Sequence, residues 1–337
     1  MKAFKYILLL VLILIIGFAI YIAVQPNSFE VTRTKTINAP QAVIYNNIID
    51  FKNWEAWNSW IEEKPETKIM LSEQTKGVGG SYSWDDAGDI GTMKTIATTP
   101  SSSIIQEMQF GDFPKNDVTW NLKPNNDGTT EVTWSISGKD LPFGFKAFAT
   151  IMGGMEKQIG PHYERGLIML DSVIQEDMKR YDVKINGITE YGGGFYLYKT
   201  TNANSQNISM KMGQNFGAIM QFMGKNGLKQ SGMPLTVYNN MSETNLIMSN
   251  GIPVKERIDI PEDSDVSIDF IPKMKVLKTT LTGNYTNLPK AWEATMKHLT
   301  ENGLEQSDYK PFEIYTTDPG NYPNPADWKT EIYIPLK

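Results

Sequence analysis

The chain of 337 residues carries 32 basic and 38 acidic side chains, for a net charge of −6, with no cysteine and two histidines, His162 and His298. Zero cysteine excludes disulfides, thiolate nucleophiles and cysteine-ligated metals. Two histidines leave no multi-histidine metal site, and the acidic balance argues against a general nucleic-acid binder, which needs a basic face to displace counterions from phosphate. With 40% hydrophobic and 21% charged residues, the chain is long enough for two domains, each burying its own core.

Tyr6 to Val24 is an uncharged run of 19 residues rich in Leu and Ile. As a helix it spans about 28 Å, close to the hydrocarbon thickness of a bilayer. Lys2 and Lys5 precede it, which places the N-terminus in the cytoplasm. Gln25-Pro26-Asn27-Ser28 then breaks the helix. Tyr21-Ile22-Ala23 fits a signal-peptidase cut poorly, so the run is read as an uncleaved single-pass anchor. The rest of the chain is then expected outside the cytoplasmic membrane, in the periplasm where there is an outer membrane.

Phe29 to Lys179 reads as one unit. A strand over Phe29–Ile37 leads through Asn38-Ala39-Pro40 into a short helix over Ala42–Asp50. Strand-like segments follow at Lys68–Ser72, Gly80–Trp84, Gly91–Thr98, Ser103–Phe110, Val118–Leu122 and Glu131–Ser137, with a hairpin turn at Asn126-Asp127-Gly128. After Pro142 a helical stretch runs to about Lys179, with Ile159, Tyr163, Leu167, Leu170, Val173 and Ile174 on one stripe. A curved antiparallel sheet gripping this helix leaves a cavity between them. Trp54, Trp57 and Trp60 either pack that core or wall an apolar ligand. Asp85, Asp86 and Asp89 lack the spacing of a calcium loop and read as a solvated hairpin tip. His162 and His298 read as packing, surface or capping groups.

Val31-Thr32-Arg33-Thr34-Lys35-Thr36-Ile37-Asn38-Ala39-Pro40, then Ile49-Asp50-Phe51, Trp54-Glu55-Ala56-Trp57 and Gly166-Leu167-Ile168-Met169-Leu170, resemble the SRPBCC (START-like, polyketide-cyclase-like) domains. The resemblance implies a helix-grip fold and functions that range over lipid binding, small-molecule binding and a few enzymes.

Tyr181 to Lys337 contains an internal repeat. Asn226-Gly227-Leu228-Lys229-Gln230-Ser231 recurs as Asn302-Gly303-Leu304-Glu305-Gln306-Ser307 at an offset of 76, and Phe216 and Met220 match Trp292 and Met296 at the same offset. After one inserted residue, Pro234-Leu235-Thr236-Val237-Tyr238 matches Pro311-Phe312-Glu313-Ile314-Tyr315. Each copy reads as strand, helix, glycine stop, strand, with helices over Met210–Asn226 and Asn287–Asn302 and strands before them at Gly194–Lys199 and Val276–Leu281. Such duplicates pack about a pseudo-two-fold axis around a cleft. By strand alternation Phe312 and Ile314 share one face with Leu235 and Val237, expected to lie against the helices. Glu313 and Tyr315, with Thr236 and Tyr238, share the other, facing solvent or the cleft. In the cleft, the carboxylate would sit among Tyr238, Tyr315, Tyr285 and Trp292, where a cationic or hydrogen-bond-donating ligand offsets its burial.

Gly251-Ile252-Pro253-Val254, Thr282-Gly283-Asn284-Tyr285, Ala291-Trp292, Phe312-Glu313-Ile314-Tyr315-Thr316-Thr317-Asp318-Pro319 and Thr330-Glu331-Ile332-Tyr333-Ile334-Pro335-Leu336 resemble the gyrase-inhibitor-like (GyrI-like) effector-binding domain. The resemblance implies small-molecule binding in a central groove, with Glu313 facing the ligand, Tyr315 beside it and Tyr285 and Trp292 near.

The chain is therefore expected to be α+β. Residues 1–27 form a membrane anchor, 28–180 a helix-grip START-like domain, and 181–337 a duplicated strand–helix–strand effector-binding domain. The expected function is an extracytoplasmic, membrane-tethered protein binding a hydrophobic or cationic organic ligand, for sensing or sequestration. A hydrolase or cyclase with Glu313 as general base and a lipid-binding module are the alternatives. No cofactor, metal or nucleic acid is expected, and oligomeric state is left open.

Overall fold

An apolar helix, α1 (Lys2–Ala23), opens the computed structural model, which describes residues 2–204, 206–241 and 246–337. Ala3–Ala23 is long and apolar enough to cross a membrane, and almost none of it is covered by the rest of the protein. The chain is mixed α+β with two antiparallel sheets. It divides into two units, the first ending at Asp177 and the second Met178–Lys337.

In the first unit, β1 (Phe29–Ile37) is followed by α2 (Gln41–Ile48), a 3-10 turn at Phe51–Ala56 and α3 (Ser59–Glu63). A meander follows: β2 (Lys68–Leu71), β3 (Ser81–Asp86), β4 (Asp89–Thr99), β5 (Ser103–Phe110), β6 (Asn116–Pro124) and β7 (Thr130–Gly138). The sheet order is β1-β7-β6-β5-β4-β3-β2, so the first strand closes back beside the last. Two helices, α4 (Phe143–Ile151) and α5 (Met155–Lys179), end the unit. The single helical stretch expected after Pro142 is thus two helices. Gly153 and Gly154 separate them with φ of +85° and +97°, a region open to glycine and closed to helical continuation.

Val132, Trp134 and Ile136 alternate on the inner face of β7, and the α5 stripe of Tyr163, Leu167, Leu170 and Ile174 is buried. Tyr163 stacks on Trp134 with ring centroids 3.6 Å apart. Gly166 permits that closeness, since a Cβ there would lie 2.9 Å from the Trp134 ring. Arg33 on β1 donates to Glu164 and Glu156 of α5 (2.6 and 2.5 Å) and lashes the helix along its outer side. These partly exposed pairs contribute far less than the aromatic burial beneath them.

The cavity expected between sheet and helix is filled by indoles. Trp54, Trp57, Trp120 and Trp134 are each 3% exposed or less, with Trp120 and Trp134 stacked at 4.3 Å and Trp54 and Trp57 set edge-on to both. Trp60 lies at the rim, stacked on His162 at 4.5 Å. The Ser59 hydroxyl donates to the His162 backbone carbonyl (2.9 Å), so its proton is committed to a structural bond. At the hairpin tip Asp85 accepts from the Gly88 amide and Asp86 pairs with Lys64. No cluster of metal-ligating side chains occurs among the described residues.

The second unit contains two copies of one pattern. The first is β8 (Tyr181–Tyr191), β9 (Gly194–Ala203), α6 (Ile208–Lys225), β10 (Leu235–Met241) and β11 (Leu246–Val254). The second is β12 (Ser267–Ile271), β13 (Met274–Gly283), α7 (Leu288–Glu301), β14 (Phe312–Tyr315) and β15 (Lys329–Pro335). The sheet order, β12-β9-β11-β10-β14-β15-β13-β8, is the same sequence of copy positions from either end. Each copy lends its first strand to the other: β8 pairs with β13, and β12 with β9.

Two residues join β8 to β9, and two join β12 to β13. Each link spans roughly 10 Å at most, yet each connects opposite halves of an eight-stranded sheet. The sheet must therefore curl until those ends meet. At the crossing, Gly193 (φ +77°) lies so close to the other link that a Cβ would stand 2.6 Å from the Ile271 carbonyl oxygen and 2.7 Å from the Lys273 nitrogen. The curl buries the face opposite the helices, where Tyr196, Leu235, Val237, Val276, Phe312 and Tyr333 form one cluster. The helices cover the other face: α6 over Leu197 and Ile252, α7 over Leu277, Ile332 and Ile334.

Gly193→Ala combines a disfavoured φ with a backbone clash. We predict a loss of about 1–3 kcal/mol, read as a lower urea midpoint for the second unit, with Gly192→Ala, which meets open space, nearly neutral.

Candidate buried carboxylate site

Strands β10 and β14 are the central pair of the second sheet, and Thr236 stands directly opposite Glu313. These positions correspond in the repeat, so the acid lies where the two copies meet. Contrary to the sequence expectation, Thr236, Tyr238, Glu313 and Tyr315 occupy the helix-covered face. Leu235, Val237 and Phe312 point to the helix-free face instead, because the curled sheet buries that side without helices.

Glu313 is 0% exposed. The Trp292 indole of α7 donates to Oε1 at 2.5 Å, and the Tyr315 hydroxyl lies 2.9 Å from Oε2. Tyr315 Oη is also 2.9 Å from Thr236 Oγ1. A phenol has one proton, and the carboxylate, an acceptor only, claims it. The Thr236 hydroxyl must then donate to Tyr315. Thr236 Oγ1 in turn accepts from Asn250 Nδ2 (2.9 Å), and Asn250 Oδ1 accepts from Asn215 Nδ2 (2.8 Å). A buried relay of neutral donors thus runs from α6 through β11 and β10 to the acid, each bond oriented toward the negative charge.

The five residues singled out in the sequence converge. The Tyr238 and Trp292 rings meet edge-on at 5.4 Å, and Tyr285 meets Tyr315 at 5.7 Å and Trp328 at 4.7 Å. Phe216 of α6 lies edge-on to Tyr315 at 6.2 Å. Each copy's helix aromatic, Phe216 or Trp292, therefore packs on the other copy's strand tyrosine. Asn215 and Asn250 join this site with little sequence signal. Asn215 precedes Phe216 on the inward side of an apolar helix, the one available sequence signal, while Asn250 could not be told from a turn residue.

Burial pushes the Glu313 carboxyl above its ordinary value, against hydrogen bonds from Trp292, Tyr238 and Tyr315 that lower it. Burial, and then the negative charge of Glu313, push Tyr238 and Tyr315 well up, so both remain phenols. Tyr285 is raised for the same two reasons. No cationic side chain among the described residues stabilises Glu313. The contrast is Glu331 on the helix-free face, which borders a groove of about 460 Å³ beside Tyr196 and Ile314. It accepts from Tyr333 and is neutralised by Lys278 at 2.7 Å.

Residues 195–337 match the family model described as the GyrI-like small molecule binding domain. Similar solved structures include the EcmrR C-terminal domain (21% identity, 47% of this chain and 98% of that one, TM-score 0.38). EcmrR in a DNA complex is another (20% identity, 58% and 71%, TM-score 0.40). A protein from Chromobacterium violaceum is a third (18% identity, 44% and 97%, TM-score 0.32). No curated protein matches the chain.

A carboxyl with a raised folded-state pKa contributes stability that is fully present below the ordinary value of 4.5 and is lost as pH rises through the folded value. Glu313→Gln should remove that loss. The variant is expected to be more stable than the parent at neutral pH, with the difference vanishing below 4.5 in paired denaturation curves. Trp292→Phe deletes a donor to the carboxylate, so it should carry the same pH-dependent loss to higher pH.

Proposed function

We propose that this is a membrane-anchored, extracytoplasmic protein whose GyrI-like domain binds a small aromatic or aliphatic organic cation at Glu313, for sensing or sequestration. The observation that carries the reading is a fully buried carboxylate held by neutral donors alone. Leaving an acid so placed costs several kcal/mol, and an apolar cation supplies the missing charge without water. The rings of Tyr238, Tyr285, Tyr315 and Trp292 surround it, and each aromatic face adds about 0.5–2 kcal/mol of cation–π attraction.

Trp292 is half-buried and fills the position next to Oε1. The ligand enters by displacing that indole, and its positive charge replaces the N–H. Binding thus competes with a closed state and has an apparent affinity reduced by the open fraction. α1 supports the anchor, with Lys5 on its N-terminal side. The seven-stranded sheet with α5 across one face supports the helix-grip, START-like reading of the first unit. Its indole-filled interior favours a packed support domain over a lipid carrier, which needs a hollow grip.

Titration with N-methylquinolinium, against uncharged 1-methylnaphthalene as shape control, tests the proposal. The cation should bind the parent and lose at least about tenfold in affinity in Glu313→Gln, equivalent to 1.4 kcal/mol. Because the folded carboxyl must shed its proton to meet a cation, affinity should strengthen as pH rises above 4.5. Equal binding by both proteins, or a pH-independent affinity, contradicts the site.

A further inference from the structure

Helix α4 leaves one face largely exposed, where Phe148 meets the Phe113 ring at 5.9 Å. Leu141 to Met152 contains a single charged residue, Lys146, and that lysine is buried. Its ammonium donates to the Ala23 carbonyl (2.8 Å), the Gln25 carbonyl (3.2 Å) and Asn27 Oδ1 (3.0 Å). Three protons meet three acceptors, and two of these are carbonyls at the open C-terminal end of α1. Leu141 N–H donates to the Asn27 carbonyl beside it, and Ile22 of α1 is buried at 3% exposure. The exit of α1 is therefore clamped onto α4.

On the opposite side of α4, Phe143 is 51%, Phe148 42% and Ile151 68% exposed, with Met152 at 43%. At 100° per residue, Phe143, Ala147, Ile151, Gly144 and Phe148 fall within one arc of about 140°, away from Lys146 and from Phe145, which stacks on Phe29. An uncharged face with two phenylalanines and an isoleucine thus lies one hydrogen bond from the last turn of the apolar helix.

We propose that α4 is a second membrane-contacting element, lying in the interface of the bilayer that α1 crosses, with Phe143, Phe148 and Ile151 immersed at the headgroup–acyl boundary. The inference rests on the anchor reading above. Interfacial helices bury their apolar face about 5–10 Å into this boundary, which is where the Lys146 clamp holds α4 once Ala23 reaches the membrane surface. The clamp selects lipid over a protein partner, because Lys146 holds α4 to the Ala23 and Gln25 carbonyls, where the apolar helix leaves the bilayer. With no charge on the face, the contact is hydrophobic and indifferent to anionic lipid.

The absence of cysteine allows nitroxides to be placed singly at Leu12→Cys, Phe148→Cys, Ile151→Cys and Lys123→Cys. All four native residues are exposed, so labelling spares the core. In the full chain reconstituted in phosphatidylcholine vesicles, collision with oxygen relative to a water-soluble nickel complex reports depth. We expect a several-fold higher ratio at 148 and 151 than at 123, unchanged by high salt, and the highest ratio at 12. Immersion at 12 with water-exposed labels at 148 and 151 overturns the α4 contact and leaves the anchor intact. Immersion at 148 and 151 without it at 12 supports the contact and overturns the spanning helix. Dipolar broadening between labels at 151, without immersion, makes the face a contact between copies and overturns the proposal.

Discussion

A carboxylate at the centre of a folded domain, with every hydrogen-bond partner neutral, is the constraint around which the second unit is organised. Unpaired, such a group would take up a proton or unfold its surroundings. Here an indole N–H, a phenol and a chain of Thr236, Asn250 and Asn215 share the charge in part. The compensation is incomplete, because burial still raises the proton affinity of Glu313. A site poised in this way gains from a positive charge brought in from outside.

The duplication explains how a symmetric scaffold yields a one-sided site. Position for position, Thr236 answers Glu313 across the central strand pair, Phe216 answers Trp292 on the helices, and Asn215 answers Ala291. One copy supplies the acid and the indole; the other supplies the amides and hydroxyl that orient toward them. Exchange of β8 and β12 between copies and the contact at Gly193 lock the halves together. Strand register thus sets the position of Glu313, while Trp292 reaches it from helix α7.

Much of this was legible in the residues. The meander of the first unit followed from alternation and turn chemistry, and the second unit's helices from apolar period and glycine stops. That Glu313, Tyr315 and Tyr238 share a face followed from the period of two in a strand. Which face the helices cover did not follow, because the curled sheet buries both sides and makes Phe312 and Leu235 as buried as Tyr315 and Thr236. The strand exchange was hidden for a related reason: pairing between β8 and β13 spans almost a hundred residues, and alternation is silent about partners. The indoles that fill the first unit come from separate segments, Trp54 and Trp57 before the meander and Trp120 and Trp134 within it, so their convergence needed the fold.

The central claim concerns the protonation of one side chain. Infrared difference spectroscopy on the full chain at pH 4.5, where a carboxyl raised above that ordinary value is mostly protonated, before and after adding N-methylquinolinium, reads it directly. The account predicts loss of a protonated carboxyl band and gain of a carboxylate band, both absent in Glu313→Gln. An unchanged carboxyl region on saturation, or the same difference bands in the variant, would contradict it.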